Sequence, residues 1–294
     1  MDIERDRKAI IASSMPVFAS ATLALLCGVL CAASEGAPQL PMSDPNTGAQ
    51  RLLNIRFDSL DTAGAVARLA GRDPAAPFAY VVTPNVDDVL RLAERAGPEL
   101  RAIYERAWLS TCDSRVLRML AGWRGVRLGL APGSDIAARL FDEVIGPDDP
   151  ITMVGGTDAV AAALRDRYRL TRLAHHNPPM GFIDNPAAVQ ECEDFVAANP
   201  ARFVLLCLGS PRQQILAARI AASGRSTGVA LCIGAAVEFV TGVKKRAPLW
   251  MQDLNLEWLH RLLSEPRRLW RRYLVEAPRI FLVLWRAPKG GTTP

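Results

Sequence analysis

From residue 50 onward, short runs of β-branched and aromatic residues alternate with longer stretches in which apolar side chains recur every three or four positions. The short runs, 52–57, 78–83, 151–154, 203–208 and 229–233, predict strands. Between them, residues 86–96, 114–121, 136–144, 158–168 and 187–197 carry the spacing of helices with one buried face. Alternation of this kind predicts an α/β fold, a Rossmann-like body on a parallel sheet with crossover helices. Pro147-Asp148-Asp149-Pro150 is expected to divide that body into two similar halves. Asn177-Pro178-Pro179-Met180-Gly181 is too rich in turn formers to be anything but loop.

The two ends of the chain break the pattern. Between Lys8 and Glu35 lie 26 uncharged residues with a strongly apolar stretch from Ala19 to Ala33. Residues 1–41 therefore read in two ways: as a signal-anchor helix, or as a segment ahead of the working start at Met42. The other end is basic. Lys and Arg number 35 against 30 Asp and Glu, a net +5. From Lys244 onward there are eleven Lys/Arg against four Asp/Glu, so residues 244–294 carry +7 and the remainder is slightly acidic. In 267–274, a step of 100° per residue places Leu269, Trp270, Tyr273 and Leu274 on one side and Arg267, Arg268, Arg271 and Arg272 on the other. Four of the six tryptophans also fall in this last segment. Tryptophan with arginine suits an element lying at an anionic bilayer surface, although a helix docked on its own domain with a solvated arginine face fits the same pattern. Nucleic acid is a weaker reading, because no recognised nucleic-acid module accompanies the basic stretch. The expected organisation is thus 1–41 apolar segment, 42–243 α/β body and 244–294 basic appendage.

The chemistry-bearing positions lie where predicted strands end. Gly155-Gly156-Thr157, Gly209-Ser210-Pro211-Arg212-Gln213 and Gly234-Ala235-Ala236 each follow a strand, the setting in which free backbone N–H groups and a helix dipole receive phosphate. Three such turns favour a nucleotide or sugar-diphosphate ligand at the carboxyl edge of the sheet. The chain has no GxxxxGK[ST] and no complete GxGxxG, against an ATPase and a standard dinucleotide dehydrogenase. It has no Asp-x-Asp, so a diphosphate would be neutralised by helix ends and arginine rather than by a carboxylate-held Mg²⁺. Six cysteines without a CxxC pair and only three histidines give no zinc-ligand spacing and fit a reducing compartment. Several of the polar residues also have capping readings: Ser210 with Gln213 as a capping box with Pro211 at the first helical position, and Asp113 and Asn85 as N-caps. His175 and His176, beside the Pro-Pro loop, read as loop hydrogen-bonders.

Taken in order, Thr83-Pro84-Asn85, Cys112-Asp113-Ser114, Gly133-Ser134-Asp135, Gly155-Gly156, Pro178-Pro179-Met180-Gly181-Phe182, Gly209-Ser210-Pro211-Arg212-Gln213 and the run Arg246-Ala247-Pro248…Glu257-Trp258…Arg261…Pro266-Arg267-Arg268…Arg272-Tyr273 resemble the WecG/TagA/CpsF family of bacterial glycosyltransferases, glycosyltransferase family 26. The resemblance spans roughly residues 50–285. It implies an inverting enzyme that moves a sugar of the N-acetylmannosamine type from a UDP-sugar onto a polyprenyl-diphosphate-linked saccharide, as a peripheral protein of the cytoplasmic face of the inner membrane, in exopolysaccharide or cell-envelope glycan assembly. No cofactor and no metal is implied. The same resemblance places a general base at Asp113 and substrate contacts at Thr83, Asn85 and Gln213. With the glycine turns and the Gly-Ser-Asp motif, the substrate-binding set becomes Thr83, Asn85, Arg127, Ser134, Asp135, Gly155, Gly156, Gly209, Ser210 and Gln213. The C-terminal arginines Arg246, Arg261, Arg267, Arg268, Arg271 and Arg272 are assigned to membrane and diphosphate.

The chain departs from the family pattern at three places. Leu130 stands where relatives carry Arg, with Arg127 the nearest substitute. The usual Pro-Lys-Gln-Glu reads Pro211-Arg212-Gln213-Gln214, and a frequent Asp near the fifth strand appears as Glu238. Two other classes remain open on the sequence: a nucleotide-dependent oxidoreductase that uses the glycine turns, and a non-catalytic lipid-binding scaffold of a polysaccharide export complex. Assembly as a homo-oligomer is also open.

Overall fold

The computed structural model describes residues 48–244, 247–248, 251 and 257–287, without the side chains of Arg261, Arg268 and Arg272. Segment 1–41 and Arg246 lie outside the described residues. The described chain forms two units: a body that runs to residue 244 and takes in 283–287, and a second unit within 247–282.

The body opens with a hairpin. The single run expected at 52–57 is two short strands, β1 (Gln50–Leu52) and β2 (Ile55–Phe57), paired antiparallel around Leu53 and Asn54. Both turn residues have left-handed φ, 54° and 63°, and a two-residue turn of that hand matches the twist of the strands it joins. Helix α1 (Thr62–Ala70) follows, its first turn closed by Asp61 Oδ1, which accepts from Gly64 N–H at 2.7 Å.

Six strands then build one parallel sheet in the order β4-β3-β8-β7-β5-β6. They are β3 (Ala79–Val82), β4 (Leu109–Ser110), β5 (Ile151–Gly155), β6 (Leu173–His176), β7 (Phe203–Cys207) and β8 (Val229–Cys232). Helices α2 (Val86–Glu94) and α3 (Pro98–Arg106) link β3 to β4, and α4 (Arg115–Trp123) and α5 (Gly133–Glu143) link β4 to β5. Helix α6 (Asp158–Tyr168) joins β5 to β6, α7 (Pro186–Ala198) joins β6 to β7, α8 (Arg212–Ser223) joins β7 to β8, and α9 (Ala236–Val240) follows β8. Pro147–Pro150 leads into β5, and strands from both sides of it hydrogen-bond in this one sheet, β3 with β8.

Apolar side chains leave both faces of the sheet, as strands sandwiched between helix layers require. On one face Val81, Met153, Leu205 and Leu231 pack with Leu69 of α1, Ile136 and Leu140 of α5, and Leu164 of α6. On the other, Tyr80 donates its hydroxyl to the Ile103 carbonyl of α3 at 2.6 Å, and α8 packs on the sheet and against α3 and α7. The two edge strands, β4 and β6, were not predicted. Val81 and Val82 register β4 onto β3, and residues 151–154 register β6 onto β5.

The C-terminal segment is helical but not one helix. It contains α10 (Glu257–Ser264), α11 (Pro266–Arg271), a π-turn over Arg272–Glu276, and α12 (Arg279–Arg286). Trp258 and Tyr273 pack ring to ring, with centroids 6.1 Å apart. The expected split into one apolar and one arginine side is modified here. Leu269 is buried at 6%, whereas Trp270 is 51% exposed and shares the solvent side with Arg267 and Arg271. On a helix, positions 270 and 271 fall one turn beyond 267, which puts all three on one side. Among the described residues no helix is long and apolar enough to cross a membrane.

Candidate active site

All strands of the large sheet run parallel, so their carboxyl ends share one edge, and the sequence-derived candidates of the body other than Arg127, Ser134 and Asp135 lie at the turns that follow these ends. Asp113 follows β4. The capping reading for it is overturned: the N-cap of α4 is Ser114, whose side chain accepts from Leu117 N–H at 3.2 Å. Asp113 Oδ1 accepts instead from Gly133 N–H, 2.7 Å away, at the first residue of α5. The half-buried carboxylate therefore sits on the positive end of an 11-residue helix, where negative charge is favoured. Pro132 precedes that helix and supplies no side-chain cap, so the aspartate from the neighbouring strand takes one of its open donors.

Thr83 and Ile233 close the space around Gly133. A Cβ added to Gly133 would lie 3.1 Å from Thr83 Oγ1 and 3.4 Å from Ile233 Cγ2. Glycine at this position lets the ends of β3, β4 and β8 converge on one point. Asn85 is the N-cap of α2, its Oδ1 accepting from Asp87 and Asp88 N–H. Ser134 Oγ donates to Asp135 Oδ1 at 3.3 Å, both in the first turn of α5. Arg127 is exposed, and its recorded bond is through its backbone carbonyl, which accepts from Ser59 Oγ at 3.0 Å. The structure does not bring its guanidinium to the Asp113 carboxylate.

The glycine turns lie further along the same edge. The chain leaves β7 toward β8 and leaves β5 toward β6, in opposite directions, so the ends of these adjacent strands border a topological switch point, where open α/β sheets bind ligands. Gly155 and Gly156 have φ of 85° and 77°, and a Cβ on Gly155 would fall 2.8 Å from the Cys207 carbonyl oxygen. Only glycine permits that approach. His175, in β6, has Nε2 at 3.2 Å from the Gly155 carbonyl oxygen and Nδ1 at 3.4 Å from Asp158. Gly209, φ 74°, and Gly234, φ 52°, approach each other directly: the Cβ position of Gly234 lies 3.8 Å from Gly209 Cα and 3.5 Å from Gln213 Oε1.

The expected capping box at Ser210 is absent. Helix α8 begins at Arg212 with Pro211 at its N-cap and no side-chain cap bond. Ser210 Oγ donates instead to Asp88 Oδ1 at 2.5 Å and accepts from Arg91 Nη1 at 2.8 Å. Asp88 is 3% exposed, also takes Asn85 N–H on Oδ2 and lies 3.3 Å from Tyr104 Oη; Arg91 Nη2 bonds Asp87. Burial, reinforced by the Asp88 charge, pushes the Tyr104 hydroxyl far up, so it remains a donor. This network ties the turn after β7 to the turn after β3. Asp88 and Arg91 were not singled out from the sequence, although Asn85-x-x-Asp88 is a capping-box spacing that signals the local part. Gln213, freed from capping, is 4% exposed and its Oε1 has no hydrogen-bond partner among the described residues.

Three thiols lie at or beside this edge. Burial pushes Cys112 and Cys207 up to about 12 and raises Cys232 further, so none is a thiolate near neutral pH. Among the described residues no group of three or more His, Cys, Asp or Glu is placed to hold a metal ion.

A parallel α/β sheet with a carboxylate, a buried amide and glycine turns along its carboxyl edge has the arrangement in which open α/β sheets bind ligands. The chain matches the model of the glycosyl transferase WecG/TagA/CpsF family over residues 50–293 and belongs to that family. Its activity is sugar transfer.

Proposed function

We propose that the protein is an inverting glycosyltransferase that moves a sugar from a UDP-sugar to the hydroxyl of a polyprenyl-diphosphate-linked saccharide at a membrane surface, without a bound metal. The observation that carries this reading is the placement of Asp113. It is a half-buried carboxylate at the carboxyl edge, released from capping its own helix and beside Thr83 at the point where three strand ends meet. Inversion requires one such group to take the acceptor proton as the oxygen attacks the anomeric carbon opposite the leaving nucleotide. The C1–O bond to the diphosphate breaks, the new glycosidic bond forms, and UDP departs with the electron pair.

The expected halves of the body divide this labour. The segment before Pro147 supplies Asp113, Thr83 and Asn85. The segment after Pro150 supplies Gly155, Gly156, Gly209, Ser210 and Gln213, where the leaving diphosphate is received. Ser134 and Asp135 border the base, and Arg127 completes the substrate-binding set. The basic appendage, 244–294, holds the enzyme on anionic lipid through Arg246, Arg261, Arg267, Arg268, Arg271 and Arg272.

The test is Asp113→Asn. Asparagine keeps an oxygen for Gly133 N–H, so the fold survives, while the base is lost and turnover falls by about 10² to 10⁴. UDP release is followed with a panel of UDP-sugars and a short polyprenyl-diphosphate-sugar acceptor, and the anomeric configuration of the product is read by NMR. Near-normal turnover by the folded variant removes Asp113 as base, and retention of configuration removes the inverting mechanism.

A further inference from the structure

Arg212 stands out among the arginines described in the body. It is half-buried at the first residue of α8, and its one recorded hydrogen-bond neighbour is the Met180 thioether, 3.9 Å from Nη1. Other half-buried arginines there have oxygen partners: Arg91 on Asp87 and Asp88, Arg56 on Asp58 and a carbonyl, Arg124 and Arg202 on carbonyls. A guanidinium drawn from solvent without an anion forgoes hydration for little return unless a ligand supplies the charge.

Its surroundings fit such a ligand. Nη2 lies 3.4 Å from the Cβ position of Gly209, the left-handed glycine at the β5/β7 switch point. The next residue is Gln213, buried and with Oε1 unpartnered, beside Gly209 and Gly234. A helix N-terminus without a side-chain cap, though its Gln213 N–H is held by the Gly209 carbonyl, a cation without an anion and a buried acceptor without a donor thus meet at one turn. Phosphate matches the first two and a sugar or ribose hydroxyl the third. Nine-tenths-exposed Met180 holds the guanidinium from the loop after β6 and offers it no competing charge.

We infer that Arg212 binds the diphosphate of the donor and neutralises it as it leaves, the role otherwise given to a metal ion or to the C-terminal arginines. This rests on the proposed glycosyltransferase reading and adds a residue to it.

The experiment compares wild type, Arg212→Ala, Arg212→Lys and Arg172→Ala by calorimetric titration with UDP, uridine and inorganic diphosphate. Arg172 precedes β6 at the opposite edge of the sheet and controls for loss of one charge. The expected result for Arg212→Ala is a loss of about tenfold to a hundredfold in affinity for UDP and diphosphate, with uridine unchanged, partial retention in Arg212→Lys and none of this in Arg172→Ala. Because the side chain makes only the thioether contact, Arg212→Ala is expected to keep its melting temperature. Wild-type affinity for UDP in Arg212→Ala, or equal weakening of UDP and uridine, overturns the assignment and leaves the transferase reading intact. Diphosphate binding that depends on Arg212 without UDP binding upholds the assignment and sinks the choice of nucleotide. A wild-type protein that binds neither overturns both.

Discussion

At the scale of single residues, the side chains at the sheet edge are set by what their neighbours leave open. Asp113 was legible as a candidate in the sequence, yet its position before a helix equally fitted a cap. The structure separates the two because Ser114 takes the capping role and Asp113 crosses to Gly133. Asp113→Ala and Asp113→Asn accordingly differ in stability. The alanine variant leaves the first N–H of α5 without its carboxylate and loses about 1 kcal/mol, as when a helix cap is removed, while the asparagine variant loses less. Urea unfolding of the pair checks this, and equal loss would mean the Gly133 bond carries no weight. The buried thiols give a second expectation. Cys112, Cys192, Cys207 and Cys232 are all raised by burial, the first three to about 12, 11 and 12. With folded values above the unfolded ones, the native state holds more protons once the unfolded thiols begin to ionise near pH 9, so stability is full below that pH and declines above it toward pH 12. Thermal midpoints measured from pH 7 to 11 test the sign, and a rising midpoint above pH 9 contradicts it.

Among secondary-structure elements, what the sequence discloses depends on where an element sits. The central strands β3, β5, β7 and β8 are buried on both faces and so appear as apolar runs within a residue or two of their observed limits. β4 and β6 left no such trace. β4 has two residues, and β6 reads Leu173-Ala174-His175-His176 with only Leu173 buried, because an edge strand meets one neighbour and needs less apolar surface. Helices α2, α4, α5, α6 and α7 were legible from their spacing, whereas α1 and α3 were not predicted, and neither was the bonding of the turn after β7. Ser210 has the local signature of a cap, and a partner 122 residues distant, Asp88, took it. No periodicity reports a bond of that separation. The same reasoning makes Asp88 the pin of the element pair α2 and β7. Asp88→Ala removes an acceptor from Ser210, Arg91 and the Asn85 N–H, and is expected to cost about 2 to 3 kcal/mol, the penalty of leaving buried polar partners unmatched. Denaturant titration measures it. A cost under about 0.5 kcal/mol would mean that water replaces the carboxylate and that the network does not hold the turn.

For the molecule as a whole, charge is segregated: a slightly acidic body and a C-terminal segment of +7. That much was read from composition; the exposure of Trp270 was not, since a 100° step gives the side of a helix that a residue faces and not what covers that side. On the described surface Trp270 lies with Arg267 and Arg271, and α12 exposes Leu282 and Trp285, the latter at 86%, beside Arg286. Removing residues 244–294 is the simplest probe of membrane attachment, but Arg124 donates to the carbonyls of Leu284 at 2.8 Å and Ala287 at 3.0 Å, so the truncation also strips bonds from the body. Surface substitutions avoid this. Each arginine near an anionic leaflet contributes about 1 kcal/mol, so Arg267→Gln with Arg271→Gln is expected to weaken partitioning onto phosphatidylglycerol-containing vesicles by roughly thirtyfold. Trp270→Ala should weaken binding to neutral phosphatidylcholine vesicles as well, because a ring at headgroup level does not depend on lipid charge. Raising ionic strength should erase the difference between wild type and the arginine variant while leaving the tryptophan effect, since screening acts on the Coulombic part alone. Co-sedimentation of the double arginine variant at wild-type levels, at low salt, would show that the basic segment serves the protein itself and not a bilayer.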